Sequence, residues 1–276
     1  METQEPKNIL EDIDLAELYH ENSKLRKIDQ EHFNWISFIS MSPTLREIML
    51  RPFKLYRGKP IIVLPEITQF SKSKLSFDDA VLMRKSCRSF QDGITLIQLG
   101  KILYYGYGIT RTMQVEGSSM KIRFRAVPSA GALYPLEVYI FALNVIDIKP
   151  GLYHYNARDN SLELLQEKDF REILERITLS KSILKGAACL IVLSAIFARA
   201  RLKYRKQAYR FVLFEAGHVS QNMMLAATSL ELGTVAIGGF LDDEINCIID
   251  INGINESVLY LLACGKPVDE ENPVLD

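Results

Sequence analysis

The sequence predicts an α+β fold, with a mainly antiparallel central sheet flanked by helices and one long central helix. Short apolar segments such as 137–143 (EVYIFAL) and 188–196 (ACLIVLSAI) have the length and composition of buried strands. Residues 205–231 place apolar side chains at spacings of three and four, which is typical of a helix with a buried face. Because helices and strands are mixed along the chain, we expect several helices to pack against one sheet.

The composition argues against several classes of protein. The chain has 276 residues, 48% of them apolar, and a formal net charge of −1, which does not suit a nucleic-acid-binding surface. No apolar segment approaches the ~20 residues of a membrane helix, and the acidic N-terminus lacks the apolar core of a signal peptide. Four separated cysteines without a CxxC pair, and no His/Asp/Glu set at metal spacing, predict no metal site and a cytoplasmic location.

The first part of the chain differs from the rest. Residues 1–70 are expected to form an N-terminal extension and 71–276 the main domain. Within the extension, 8–20 and 28–40 have loosely helical periodicity, whereas 51–66 contains several prolines and is expected to be extended.

Capping boxes mark two helix starts in the main domain. Ser76 begins Ser-x-x-Asp, Thr95 begins Thr-x-x-Gln, and helical sequence follows each of them. The glycine- and serine-containing run 115–124 is expected to be a mobile loop. Strands are expected at 151–155 and 161–165, and their short polar connection predicts a hairpin.

The second half of the chain combines helices and strands. An amphipathic helix is expected over 168–177, and the long helix is expected to end at Gly233. Strands at 234–239 and 258–264 then enclose a helix over 242–250.

A polar cluster, RKSCR (84–88), lies at the end of the first capped helix. Arg84, Ser86 and Arg88 offer two guanidinium groups and a hydroxyl, which suit a phosphate or a polar ring edge because guanidinium binds such oxygens bidentately. A basic cluster that complements the helix dipole explains the same residues. The residue types alone leave both interpretations open.

Two small-residue segments, PSAGALYP (128–135) and AIGGF (236–240), allow the backbone to approach a flat ligand closely. Each could equally be an ordinary loop or turn. The candidate residues are Pro128, Ser129 and Ala130 in the first segment and Gly238 and Gly239 in the second.

The pair Lys203–Tyr204 stands at the start of the predicted long helix, in a stretch rich in cations. The cations are Arg199, Arg201, Lys203, Arg205 and Lys206. A lysine acts as a base only if its pKa falls well below ~10.4, and crowding of positive charge favours the neutral amine. Tyr204 could donate a hydrogen bond or relay a proton. The alternative is a solvated basic helix start without a chemical role.

Other polar residues are weaker candidates for a site. His154 and His218 are lone histidines and are expected to be structural. Gln221 and Asn222 could contact a ligand or fill polar space beside the core.

Taken together, the segments RKSCR, PSAGALYP, KYRKQAYR (203–210) and AIGGF resemble the flavin-dependent nitroreductase superfamily in their order and separation. They are most similar to its SagB/McbC-type dehydrogenases, which oxidise azoline rings in ribosomal peptides. The resemblance covers about residues 50–268. It implies a nitroreductase-like fold, FMN as cofactor, and a homodimer with two sites at an interface formed largely by the long helix.

The resemblance also assigns roles to the motifs. The side chains of RKSCR would hold the phosphate and pyrimidine side of FMN. The PSAGALYP segment would lie along the flavin ring and ribityl chain across the dimer, and the backbone amides of the two glycines in AIGGF would face flavin N5. Lys203, helped by Tyr204, would remove the ring proton of the azoline while the flavin takes the hydride, with oxygen reoxidising the flavin.

One feature departs from the family pattern. Many nitroreductases place several basic residues near the C-terminus to bind the flavin phosphate, whereas this chain has only Lys266 before an acidic tail. Phosphate binding would then depend on Arg84 and Arg88.

The function implied by the resemblance is the oxidation of thiazoline or oxazoline rings in a precursor peptide, beside a cyclodehydratase complex. Two alternatives stay open. One is a stand-alone NAD(P)H-dependent nitro- or quinone reductase, and the other is a flavin-stabilised scaffold subunit of a peptide-modifying complex.

Overall fold

An antiparallel sheet forms the centre of the computed structural model, which describes residues 14–268 except 28, 50–51, 71–72, 74, 116–120 and 180. All pairings between the named strands of this sheet are antiparallel, which confirms the predicted α+β class. Across the sheet the order is β1 (Ile61–Val63), β9 (Ser161–Glu167), β8 (Gly151–Asn156), β6 (Leu136–Ala142), β10 (Cys189–Ile196), β12 (Glu256–Pro267) and β11 (Gly233–Ile237), with β2 (Phe90–Gln91) also pairing with β12.

The central strands are buried on both faces. In β6, Val138 and Ile140 belong to one core cluster, whereas Tyr139 and Phe141 belong to the other. This alternation follows from the two-residue period of a strand. It explains why strands β6 and β10 are apolar almost throughout, and the predicted hairpin β8–β9 is present beside them.

Helices cover each face of the sheet. One cluster contains apolar side chains from α5 (Leu96–Tyr107) and α8 (Ala208–Thr228). The other contains side chains from α6 (Arg171–Ile177) and α9 (Asp242–Ile248). The helices α5 and α8 lie close together at Gly106, where an added methyl group would be only 2.3 Å from Cγ of Met223.

Both predicted capping boxes are present. Ser76 caps α4 (Phe77–Met83) reciprocally with Asp79, and Thr95 caps α5 reciprocally with Gln98. Each cap satisfies backbone N–H groups that have no partner within the helix, and so fixes where the helix begins.

Among the described residues, three helices precede the sheet: α1 (Leu15–Ser23), α2 (Gln30–Met41) and α3 (Pro43–Met49). The first half of the predicted helix 8–20 lies outside the described residues. The division of the chain at residue 70 stays a prediction, although β1, which precedes that position, is an edge strand of the main sheet.

The prediction of a loop over 115–124 was wrong for its second half. Residues Lys121–Arg125 form β5, which pairs with β4 (Ile109–Gln114) in an antiparallel ribbon. The glycine and serines that suggested a loop lie at 117–119, outside the described residues. The alternation of charged and apolar residues that follows at 121–125 is short and largely polar. The pairing of this segment with β4 could therefore not be recognised from the sequence.

The prediction of one helix from 205 to 231 was also wrong at both ends. Lys203 and Tyr204 end a separate helix, α7 (Phe197–Tyr204), and a 3₁₀ turn at Arg205–Gln207 precedes α8. Arg205 breaks the chain direction because its φ is +46° and its ψ is −121°. At the other end α8 stops at Thr228, and Gly233 is the first residue of β11.

Candidate active site

The segment 128–135 forms a strained turn before β6. Positive φ angles occur at Gly131 (64°), Ala132 (54°) and Tyr134 (43°). Only glycine adopts this region without steric cost, and a non-glycine residue there costs of order 1–3 kcal/mol. Such strain persists only where the surrounding structure holds the turn firmly, and it is concentrated at functional sites.

Hydrogen bonds hold Tyr134 in this turn from three directions. Its backbone N–H donates to Oγ of Ser129 (2.9 Å), and its phenolic oxygen accepts the backbone N–H of Arg125 (2.9 Å). The guanidinium of Arg199 donates to its carbonyl oxygen (3.2 Å). The turn is therefore fixed by α7 and β5 as well as by itself.

A buried carboxyl group, Glu215 of α8, connects the two ends of the turn. Its oxygen accepts the hydroxyl of Tyr107 (2.7 Å), which in turn accepts the backbone N–H of Leu136 (3.1 Å). The Ser129 side chain also hydrogen-bonds to Glu215. Burial raises the pKa of Glu215 to about 7, although these hydrogen bonds act in the opposite direction.

Sequence reasoning missed Glu215, although a signal was present. Position 215 falls between Val212 and Val219 on the buried face of a helix whose periodicity is clear. A carboxylate at a core position is rarely tolerated without partners, so its placement there marks a polar network.

Lys203 and Tyr204 lie against the same turn. A methyl group built on Gly131 would come within 2.8 Å of the Tyr204 hydroxyl and 3.2 Å of Nζ of Lys203. The absence of a side chain at Gly131 therefore allows both functional groups to approach the turn. The structure brings two of the sequence-predicted motifs together at this point.

Carboxylates neutralise much of the positive charge around Lys203. Arg199 pairs with Glu137 (2.6 Å), Arg205 with Glu31 (2.8 Å) and Lys206 with Asp29 (3.6 Å). Three of the five expected cations thus have acidic partners from other elements, so the positive charge around Lys203 is less crowded than the residue types suggested. Within the described part of the chain, Lys203 itself has no carboxylate partner.

Tyr204 is half-buried and packs edge-to-face against Phe211, with ring centroids 4.9 Å apart. Burial raises the pKa of its phenol. The hydroxyl therefore stays protonated near neutral pH and can donate a hydrogen bond or a proton. Nζ of Lys203 lies 5.5 Å from the Tyr204 ring centroid.

His154 lies in a buried ionic network below the turn. Its two ring nitrogens contact Glu137 and Glu163, each at 2.8 Å. Burial opposes ionisation of Glu137, but Arg199 and His154 lower its pKa to about 2. Burial likewise favours neutral His154, and the two carboxylates raise its pKa. The network anchors α7 through Arg199, which agrees with a structural role for the histidine.

The residues of RKSCR lie against β11. Arg84 follows the last turn of α4, Ser86 forms a bridge with Thr234, and the backbone N–H of Cys87 donates to the Thr234 carbonyl (2.9 Å). Ser86 and Arg88 are exposed, and Arg84 is half-buried. These side chains are therefore accessible to a bound anion.

The glycines of AIGGF follow the other end of β11. A methyl group at Gly238 would meet no atom within 4 Å, so its backbone borders open space. The carbonyl of Gly239 accepts the backbone N–H of Leu179 (3.1 Å), which fixes the turn. Strand β11 thus has exposed guanidinium and hydroxyl donors at one end and bare backbone at the other. This arrangement fits a long ligand that has a phosphate and a flat polar ring.

The two groups of candidate residues are anchored separately. Residues 84–88 and 238–239 are held by β11, whereas 128–134 and 203–204 are held by α7, α8 and β5.

Among the remaining candidates, Asn222 donates to the carbonyl of Tyr105 (3.2 Å), and His218 and Gln221 are exposed.

Two negative findings apply to the described residues. They bring together no group of three His, Cys, Asp or Glu side chains that could hold a metal ion. None of their helices has both the length and the apolar character needed to cross a membrane.

Comparison with known families gives one match over more than half of the chain. Residues 81–266 match the model of the nitroreductase family. The match begins within α4 and ends in β12, so it includes RKSCR, the strained turn, Lys203–Tyr204 and AIGGF.

Three curated relatives differ in how much of their length they share with this chain. A nitroreductase-like protein of Methanocaldococcus jannaschii is 32% identical over 209 residues, covering 75% of this chain and 97% of that protein. The trifolitoxin-processing protein TfxB of Rhizobium leguminosarum bv. trifolii is 27% identical over 65% of this chain and 49% of its own. The microcin B17-processing protein McbC of Escherichia coli is 31% identical over 44% of this chain and 46% of its own. The alignments span about half the length of the latter two.

Solved structures share the fold. A nitroreductase-like protein of Anabaena variabilis superimposes with a TM-score of 0.70 at 26% identity, over 90% of this chain and 45% of that one. A chain in the Escherichia coli microcin synthetase complex McbBCD, with truncated pro-MccB17 bound, superimposes with a TM-score of 0.57 at 22% identity, over 94% of this chain and 100% of that one. The predicted nitroreductase-like fold is therefore confirmed.

Proposed function

The chain belongs to the nitroreductase family of flavin oxidoreductases, and we propose that it oxidises thiazoline or oxazoline rings in a ribosomal peptide to thiazoles or oxazoles, with FMN as cofactor. The observation that carries the proposal is the close approach of Lys203 and Tyr204 to Gly131, where neither would leave space for a side chain. It joins a turn suited to a flat cofactor to an acid–base pair suited to a substrate proton.

The residues along β11 would hold the cofactor. Arg84 and Arg88 supply bidentate donors for the phosphate, Ser86 supplies a hydroxyl, and the backbone at Gly238 and Gly239 borders the space for the ring. Conversion of an azoline to an azole removes two protons and two electrons, of which bound flavin would accept both electrons and one proton.

The remaining proton of the ring is assigned to Lys203. Lys203 would accept it in the neutral amine form, and the half-buried Tyr204, kept protonated by its raised pKa, is suited to donate a hydrogen bond beside it. The strained turn holds both groups in place from one side. The chain thus supplies orientation and the proton acceptor, and the cofactor supplies the redox capacity.

A homodimer would complete the site. The two groups of residues are anchored on different elements, and α8 presents exposed Leu213 and Phe214, which are 43% and 55% accessible. Such an apolar pair on a long helix suits a subunit interface. The PSAGALYP turn of one subunit would then meet the cofactor held by RKSCR of the other.

The peptide-modifying assignment is supported by the relatives TfxB and McbC and by the McbBCD complex. It implies a partner that forms the azoline, which is a cyclodehydratase. The similarity to the Methanocaldococcus protein, over 97% of its length, specifically favours a second candidate, a stand-alone NAD(P)H-dependent nitro- or quinone reductase. A flavin-stabilised scaffold subunit is the third.

The test uses the purified full-length protein reconstituted with FMN. An azoline-containing peptide should lose two hydrogens per ring by mass spectrometry, and NADH or NADPH should reduce the flavin slowly. Fast reduction by a nicotinamide with turnover of nitroaromatics, and no azole, would replace this proposal with the reductase. If the protein alone leaves the peptide intact but restores the activity of a partner complex, the scaffold alternative would be favoured.

A further inference from the structure

The helices of the N-terminal segment lie on the helix that carries Lys203. Nε1 of Trp35 in α2 donates to the carbonyl of Leu202 (2.8 Å). The guanidinium of Arg205 lies 4.5 Å from the Trp35 ring centroid and pairs with Glu31 of the same helix. Helix α2 is therefore fixed to α7 within one turn of the candidate base.

A second group of contacts fixes the rest of the segment. Arg210 of α8 donates to Ser23 and to the carbonyl of His20, both in α1. The rings of Tyr19 and Tyr209 meet edge-to-face with centroids 5.7 Å apart. These contacts place α1 beside the start of α8, whereas α2 lies against Leu202, the residue next to Lys203.

A cavity of about 290 Å³ lies between these helices and the candidate site. Its lining residues are Ser40, Arg46, Met49, Ile122, Gly131 and Lys203. Helix α3, which contributes Arg46 and Met49, has no buried residue, so it is a wall of the cavity and not part of the core. The volume is near the lower end of the roughly 300–1,000 Å³ of ligand pockets, so it suits a short stretch of peptide.

We propose that α2 and α3 form the outer wall of the substrate cavity, and that Arg46 binds an oxygen of the peptide next to the reacting ring. This inference rests on the proposed function. The Arg46 side chain is exposed, and it has no carboxylate partner in the part of the chain that the structure describes. Guanidinium has donors and no acceptor, so its ligand is an acceptor oxygen, either a peptide carbonyl or a carboxylate.

The remaining walls suit the same ligand. Ser40 adds a hydroxyl on the side of α2, whereas Met49 and Ile122 are apolar and suit a ring or an aliphatic side chain. Lys203 and Gly131 close the inner side. A peptide held by Arg46 at the outer wall therefore presents its neighbouring ring to Lys203.

The experiment uses Trp35, the single tryptophan of the chain, as a fluorescent reporter of binding and of the docking of α2. Full-length protein loaded with FMN is titrated with two short azoline peptides, one ending in a carboxylate after the ring and one ending in an amide. The variant is Arg46→Gln, and the matched control is Arg26→Gln, which removes an exposed cation of the same segment that pairs with Glu21.

Arg46→Gln should raise Kd and KM about tenfold with kcat, flavin content and the emission maximum unchanged, and Arg26→Gln should resemble wild type. Weaker binding of the carboxylate peptide alone identifies a carboxylate ligand, and weaker binding of both identifies a carbonyl. Wild-type Kd and KM for both peptides in Arg46→Gln would overturn this inference alone. A wild-type protein that neither binds nor converts either peptide would overturn the proposed function with it.

Discussion

Gly131 lies against Lys203, such that a methyl group on its α-carbon would be 3.2 Å from the lysine Nζ. Gly131 belongs to a turn before β6, and Lys203 belongs to the last turn of α7. The contact brings a backbone segment without a side chain next to an amine without a carboxylate partner among the described residues. Both residues line a cavity beside the amine, and the turn lies at a defined distance from it.

Gly131→Ala should destabilise the protein by about 1–2 kcal/mol, because φ of +64° is unfavourable for alanine. It should also reduce azole formation, because the new methyl group would displace Lys203 and Tyr204. The control Gly58→Ala has the same backbone penalty at φ +79°, but no atom lies within 4 Å of its methyl group. Thermal unfolding and conversion rates separate the two effects. Equal conversion by both variants would show that the packing of Lys203 and Tyr204 against Gly131 does not affect azole formation.

Glu215→Gln should remove a pH dependence of stability. The pKa of Glu215 is raised from 4.5 to about 7, so the folded protein holds this proton more tightly than the unfolded chain. Its stabilising contribution is present below pH 4.5 and is lost as pH rises towards 7, by about 3 kcal/mol in total. Urea unfolding of both proteins between pH 4.5 and 8 measures the difference. If the unfolding free energies of the two proteins changed with pH in parallel, the raised pKa of Glu215 would be contradicted.

Arg84→Ala should lower flavin affinity, because a charge-assisted hydrogen bond to phosphate contributes roughly 1.5–3 kcal/mol, or more than tenfold in Kd. The control Arg57→Ala removes an exposed arginine of the segment before the sheet. Flavin fluorescence during titration of the apoprotein gives both values. Equal flavin Kd values for the two variants would exclude Arg84 from the phosphate site.

Phe214→Glu should produce monomers that lose flavin, because it places a charge in the exposed apolar surface of α8 proposed as the interface. The control Ile254→Glu charges another exposed apolar residue, 79% accessible, in the loop before β12. Analytical ultracentrifugation and absorbance of the same samples report oligomeric state and flavin content. A flavin-replete monomer of wild-type protein would contradict the proposed dimer site.

The sequence predicted the fold more completely than the site. Strands such as β6 and β10 are apolar on both faces, and caps at Ser76 and Thr95 are local, so both were recognisable without tertiary information. The break at Arg205 was not, because it depends on a backbone conformation that arginine rarely adopts and that neighbouring elements hold in place.

The site residues were predicted as motifs, but their relations depend on long-range packing. The contact of Gly131 with Tyr204 and the wall formed by α2 and α3 join segments far apart in sequence. The acidic partners of Arg199, Arg205 and Lys206 come from two distant places in the chain, the start of α2 and the start of β6, so the charge around Lys203 could not be judged from its neighbours. The positive φ at Ala132 and Tyr134 likewise has no signature in those residue types.

Azole formation by Lys203→Ala tests the assignment of Lys203 as the base most directly. Mass spectrometry follows it as the loss of two hydrogens per ring. Arg201→Ala, which removes an exposed cation of the same helix, is the matched control, and flavin absorbance reports folding. We expect Lys203→Ala to stay folded and yellow with conversion reduced 10²–10⁴-fold or more, Tyr204→Phe to lose part of the rate, and Arg201→Ala to convert normally. Near-normal conversion by flavin-loaded Lys203→Ala would contradict the assignment of Lys203 as the base.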